Sequence, residues 1–113
     1  STRVVEIGTG TATGKTFFVT SNGNDSNTGL SIGESFASIK AAAAAAVEKD
    51  TIKVLPGTYV ENNPIYLPKN VGVEGAELRN CLVSAQNPDQ DLFYVGQGNH
   101  LTDLSFIGQP ATN

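Results

Sequence analysis

The sequence predicts an all-β fold, a coil of short parallel strands entered through one helix, and three observations carry that prediction. Residues 16 to 59 place three dissimilar pieces in direct succession. TFFVTSNGNDSNTG reads as a strand and a polar Gly/Asn turn, SFASIKAAAAAAVEKD as an alanine-rich helix, and DTIKVLPGTYVE as a second strand closed by Pro56-Gly57. After residue 50, short apolar runs recur between turns at a shared spacing, as in chains whose successive turns stack on one another. No Asn-Gly or Asp-Gly hairpin joins consecutive strands in that stretch, which argues against an antiparallel sandwich.

Taken in order, Val4-Val5-Glu6-Ile7 is a short strand, and the Gly/Thr stretch Gly8 to Gly14 has neither helical nor strand period. Residues 1–15 are therefore a lead-in strand and linker, and 16–113 form the coil domain. Thr16 to Thr20 is β-branched and aromatic, a strand, and Ser21 to Gly33 is a polar loop. The helix starts near Ser38, whose hydroxyl can cap the first free amides. Ile39, Ala42, Ala43, Ala46 and Val47 then share one face, and their small side chains let the helix lie close to what it covers.

Six apolar strands follow: Ile52 to Leu55, Ile65 to Leu67, Val71 to Val73, Cys81 to Val83, Leu92 to Val95 and Leu104 to Ile107. Grouped in threes, they align with offsets of 29 (Val54 to Val83), 27 (Ile65 to Leu92) and 33 (Gly75 to Gly108), a period of about 30 residues. Alternation points Ile52, Val54, Ile65, Leu67, Val71 and Val73 inward and Lys53 and Tyr66 outward. In Asp91 to Val95, both Leu92/Tyr94 and Phe93/Val95 fit as the inner pair. Tyr59 and Tyr66 are expected to be exposed, and Leu104, Phe106 and Ile107 to lie near the uncapped end.

Composition narrows the function classes. At 113 residues the chain holds one domain with a modest core. Its net charge is −4, and seven Lys and Arg residues spread from Arg3 to Arg79 form no patch for a nucleic acid. No apolar stretch approaches a membrane span, and Ala41 to Ala46 is too short for one. The single cysteine, Cys81, cannot form an intrachain disulfide and reads as a small buried apolar residue. Ser1 follows no signal-peptide pattern and no initiator Met is present, so a fragment or processed product is expected.

No motif assigns a catalytic, cofactor or metal residue. Gly8 to Thr16 (GTGTATGKT) imitates a phosphate loop, but Thr9 stands where its first Gly is required and Phe17-Phe18-Val19 is strand rather than helix. An EF-hand beginning at Asn24 would put Ser35 in place of the bidentate Glu. An irregular calcium site at Asp25 in the Asn22 to Gly29 loop stands beside an Asx-type turn network that needs no metal. Glu74, Glu77, Asp89, Asp91, Asp103, Arg79 and His100 supply titratable groups, yet they read as solvated turn charges and form no recognisable acid–base set. His100 alone reads as a surface histidine.

Phe18 to Asp25, Ser38 to Ala42 and Asp50 to Tyr59, in that order, resemble the opening of the pectin-lyase-like superfamily. The likeness covers roughly residues 16 to 108, with Lys49 standing in a turn where the family usually has Gly. It implies a right-handed parallel β-helix of about two turns with an N-terminal capping α-helix over the open end of the coil. It also implies a structural or host-attachment module of a bacteriophage virion, of the tail fibre, tailspike or baseplate type. A homotrimer and a cell-surface glycan are the partners so implied. The alternative is the N-terminal part of a polysaccharide lyase, hydrolase or epimerase, secreted or at the bacterial surface, with its active site beyond Asn113.

Overall fold

The structure is a computed structural model and describes residues 14–76 and 81–106. The expected strand Val4 to Ile7, most of the Gly/Thr stretch, and Glu77, Arg79, Ile107 and Gly108 lie outside the described residues. The elements are β1 (Thr16–Val19), a 3-10 turn (Ile32–Glu34), α1 (Ile39–Ala45), β2 (Thr51–Val54), β3 (Gly57–Glu61), β4 (Ile65–Tyr66), β5 (Gly72–Gly75), β6 (Cys81–Ala85), β7 (Phe93–Tyr94), β8 (His100–Thr102) and β9 (Ser105–Phe106). Mostly strand with one short α-helix, the described residues form an all-β fold.

Every strand pair among the described residues is parallel, which removes the antiparallel sandwich. The strands fall into three sheets, ordered β1-β2-β5-β8, β3-β6-β9 and β4-β7. The chain visits them in rotation: β2, β3, β4, then β5, β6, β7, then β8, β9. Each strand thus lands beside the one laid down a circuit earlier, an arrangement that fits a parallel β-helix.

The circuit is shorter than the spacing inferred from sequence, and it lengthens from one sheet to the next. Thr51 lies beside Gly72, Gly57 beside Cys81, and Ile65 beside Phe93. Val54 therefore pairs with Gly75, while Val83 pairs with Tyr59. The expected grouping failed because it passed over β3 and β8. Pro56-Gly57 looks like a terminator but is only the corner between β2 and β3. In β3 the inward positions are Tyr59 and Glu61, both buried, while Val60 is 65% exposed. An inward carboxylate and an outward valine invert the usual pattern.

Inward residues stack in columns set by register: Phe17, Ile52, Val73 and Leu101; Tyr59, Val83 and Phe106; Ile65 and Phe93. Ile52, Val54, Ile65, Val71 and Val73 are fully buried, as expected, and each contributes about 1.5–3 kcal/mol through removal from water. Leu67 is only partly buried. Burial fades along the coil, with Leu101 and Leu104 partly covered and Phe106 47% exposed. Neither proposed inner pair of 91–95 holds. Leu92 and Phe93 pack on the core, whereas Tyr94 and Val95 are exposed, because the chain bends into the two-residue strand β7.

Helix α1 touches β1, β2 and β4 and buries Ile39, Ala42 and Ala43, with Ala46 buried just past its end. Val47 does not share that face and is 57% exposed. The helix stops at Ala45, since the Val47 amide donates to Asp50 Oδ2 (2.9 Å) instead of continuing the helical ladder. After it the turn passes through Lys49 at φ +79°, a left-handed backbone that favours glycine. The same conformation recurs shortly before β5 and before β8, at Asn70 (φ +60°) and Gly98 (φ +74°). The stack is bonded, Lys49 N to Asn70 O and Asn70 N to Gln97 O.

Candidate functional site

The densest polar cluster gathers at the start of α1. A helix leaves its first amides without intrahelical partners, and here three side chains from different parts of the chain supply acceptors. Ser38 Oγ accepts from Ala41 N (3.1 Å), as its cap position predicts. Asp25 Oδ1 accepts from Ala37 N (2.8 Å) and Ser38 N (2.9 Å), and its Oδ2 accepts from Ser38 Oγ (3.0 Å). Glu61 Oε2 and Oε1 accept from Ile39 N (2.8 Å) and Lys40 N (3.1 Å). Both oxygens of Asp25 are thereby committed to the helix, and Asn24 Oδ1 accepts from Ser26 N, so the Asn22 to Gly29 loop is an Asx-type network. Among the described residues no group of three or more His, Cys, Asp or Glu could hold a metal ion.

Sequence reasoning missed Glu61. It is 1% exposed, and burial drives its pKa above the ordinary glutamate value of 4.5, with Asp25 adding to the rise and the Ile39 and Lys40 amides opposing it. Its signal was position: it follows Tyr59 on the same strand face. Tyr59, expected at the surface, is 2% exposed instead, and its hydroxyl donates to Leu55 O at 2.7 Å. Register explains this, since Tyr59 stands in the inner column above Val83. Burial first, then Cys81 and Glu61 nearby, push its phenol up to about 12. Cys81 is fully buried, as expected, and its Sγ donates to Val54 O (3.3 Å).

Of the dispersed titratable residues, the fold brings three together on the outer face of the four-stranded sheet. Lys53 Nζ lies 3.3 Å from Glu74 Oε1, and His100 Nε2 lies 3.9 Å from Glu74 Oε2. Lys53 and Glu74 are register neighbours on β2 and β5, and the His100 ring lies over Gly72, where any side chain would displace it. All three are at least a third exposed, so the pairs are worth little. No hydrogen bond or ion pair joins Glu74 to a second carboxylate among the described residues. Asp89, Asp91 and Asp103 are exposed, with Asp103 in a left-handed turn at φ +58°.

Two other surfaces stand out. Tyr66 and Tyr94, outward neighbours on β4 and β7, stack with centroids 4.8 Å apart, the spacing of adjacent strands. They are 66% and 43% exposed. A groove of about 480 Å³ runs between the Ser21 to Asn27 loop, the 3-10 turn and the Leu55-Pro56 corner.

No curated protein and no solved structure matches the chain. A family model described as "Protein of unknown function (DUF1565)" matches residues 21–107, from the loop after β1 to just past β9. With most of its length inside that match, the chain belongs to the DUF1565 family.

Proposed function

We propose that this chain is the opening of a right-handed parallel β-helix of the pectin-lyase-like kind and acts as a structural or host-attachment module of a bacteriophage virion. The observation that carries the reading is the rotation of the chain through three parallel sheets, with α1 packed on β1, β2 and β4. The family's association with right-handed β-helix proteins supports it. In a coil of this kind each turn is stabilised by its neighbours, and the sides remain free to present a surface. The two carboxylates that come near each other, Asp25 and Glu61, are both hydrogen-bonded to the start of α1.

Self-association belongs to the same reading. A cyclic homotrimer would cover the exposed, stacked rings of Tyr66 and Tyr94. Light scattering after size exclusion tests it. A trimer is expected, and a well-folded monomer across a wide dilution range would remove that part of the proposal.

One observation favours the enzymatic alternative, the Lys53–Glu74–His100 cluster, which places a carboxylate between two bases on the widest sheet. The deciding assay is product release from polygalacturonate, alginate and bacterial capsule. None is expected above a heat-killed control, and release that vanishes in Glu74→Gln would replace the attachment reading with the enzymatic one.

A further inference from the structure

We infer that the groove between the Ser21-Asn22 turn and the Leu55-Pro56 corner binds a neutral sugar residue, a step that rests on the attachment reading and gives it a site. The groove, about 480 Å³, is of the size that holds a small ligand. Its lining decides the ligand's chemistry. No Asp, Glu, Lys or Arg borders it, although the chain carries eleven acidic and seven basic residues of those types. An anionic ligand would find no cation there, and a cationic one neither carboxylate nor aromatic cage.

What the groove does offer is apolar surface beside uncommitted hydrogen-bonding groups. Ile32, 57% exposed, lines it together with Leu55 and Pro56. Ser21 and Asn22 form the corner of a turn closed by Gly23 N donating to Thr20 O (3.0 Å). The hydroxyl of Ser21 and the amide of Asn22 make no hydrogen bond among the described residues, so one hydroxyl and one carboxamide are free to donate and accept. The framework behind them is fixed. Thr20 Oγ1 and Ser35 Oγ are hydrogen-bonded at 2.7 Å, and Asn27 Nδ2 donates to Ser35 O at 2.9 Å. A pyranose has the matching pair of surfaces, an apolar C–H face and a rim of uncharged hydroxyls. The second cavity, beside α1, is lined by Asp25, Lys40 and Glu61, all already bonded to the protein, and offers no such free set.

Gly33 supplies one variant. A Cβ there would meet nothing within 4 Å, and its φ is outside the left-handed region, so the backbone accepts Gly33→Phe, which adds a bulky group on the lining of the groove. The ¹⁵N-labelled chain is titrated with the methyl glycosides of glucose, galactose and N-acetylglucosamine, and with glucuronate as an anionic control. Saturable shifts are expected at the amides of Ser21, Asn22, Ile32 and Gly33, with Kd on the order of 1 mM for so few contacts. They should weaken about tenfold or more in Ser21→Ala/Asn22→Ala, and Gly33→Phe should perturb them. Far-ultraviolet circular dichroism checks that both variants stay folded.

The inference is overturned if no neutral glycoside gives saturable shifts up to roughly 50 mM, if the shifts survive Ser21→Ala/Asn22→Ala unweakened, or if glucuronate binds as well as the neutral sugars. Saturable shifts centred on Tyr66 and Tyr94 would also overturn it, while leaving the attachment reading intact. Glutamate-dependent product release in the lyase and hydrolase assays would have the reverse effect, overturning attachment but not sugar binding at the groove.

Discussion

Glu61→Ala should be the most damaging single substitution in the first turn of the coil. The carboxylate is 1% exposed and closes two hydrogen bonds to the start of α1, 2.8 Å from Ile39 N and 3.1 Å from Lys40 N. A buried donor left without an acceptor costs about 1–3 kcal/mol. Ile39 is buried and should incur most of that cost, whereas the Lys40 amide is partly exposed and water can replace its partner. A cavity adds to the loss, and removal of a desolvated charge offsets part of it. The net is about 2–4 kcal/mol, which for a domain of this size lowers Tm by roughly 10–25 °C. Glu61→Gln keeps the volume and one acceptor and should cost about 1–2 kcal/mol. The acid dependence has a definite sign. Because burial raises the folded pKa, ionised Glu61 supports the fold less well than the protonated form, and that penalty, present at neutral pH, is relieved as pH falls through the folded pKa towards 4.5. The stability difference between the wild type and Glu61→Gln should therefore grow in favour of the wild type across that window. Urea denaturation followed by circular dichroism measures both quantities. A Glu61→Ala cost below about 0.5 kcal/mol, the range of ordinary surface changes, would refute the view that this carboxylate holds the helix on the coil.

Lys49→Gly should stabilise the chain by about 0.5–1 kcal/mol, because a left-handed backbone strains any residue with a Cβ and glycine gives back only part of that gain in unfolded entropy; a lowered Tm would contradict this. Gly98→Ala should destabilise, since it adds the same strain and drives a methyl into the Asn70 side chain. Ala43→Leu, at a site 4% exposed beneath the helix, should cost about 1–3 kcal/mol through overpacking. Lys40, whose Nζ donates to the exposed Asn62 carbonyl and whose charge favours the Glu61 carboxylate, should lose less with alanine than Ala43 does with leucine, and equal effects at the two sites would remove the capping role. Tyr59 has its phenol raised to about 12, so the stability it confers is intact below the ordinary value of 10.0 and is lost as pH rises from there towards 12. Tyr59→Phe should flatten that alkaline loss in a pH series of urea midpoints, and an unchanged slope would count against its burial.

The local pieces were legible because each follows from a short-range rule. β-Branched and aromatic residues made β1 a strand, Ser38 capped the helix through its own hydroxyl, and Ile39, Ala42 and Ala43 shared the buried face at helical spacing. Alternation placed Ile52 and Val54 inside and Lys53 outside. The glutamate at 61 and the tyrosine at 59 defied the same rule, since polar residues on an inner face look like surface until their partners are known. Glu61 is buried because Ile39 N and Lys40 N, from the helix laid down before β2, lie across from it.

Register was the quantity that sequence could not supply. The circuits from β2 to β5, from β3 to β6 and from β4 to β7 differ in length because their corners differ, and only the hydrogen-bonded ladders show which strand lies under which. The same holds for the surfaces on which function depends. Lys53, Glu74 and His100, and likewise Ser21, Ile32 and Leu55, become neighbours only when the chain comes round. The sequence by itself determined the all-β class, the helix and its capping residue, and the inner side chains of the plainly alternating strands, all of which rest on contacts within a short stretch of chain. The tertiary structure decided the stacking, the burial of Glu61 and Tyr59, and the makeup of both candidate surfaces, because each depends on juxtaposition across a whole turn of the coil.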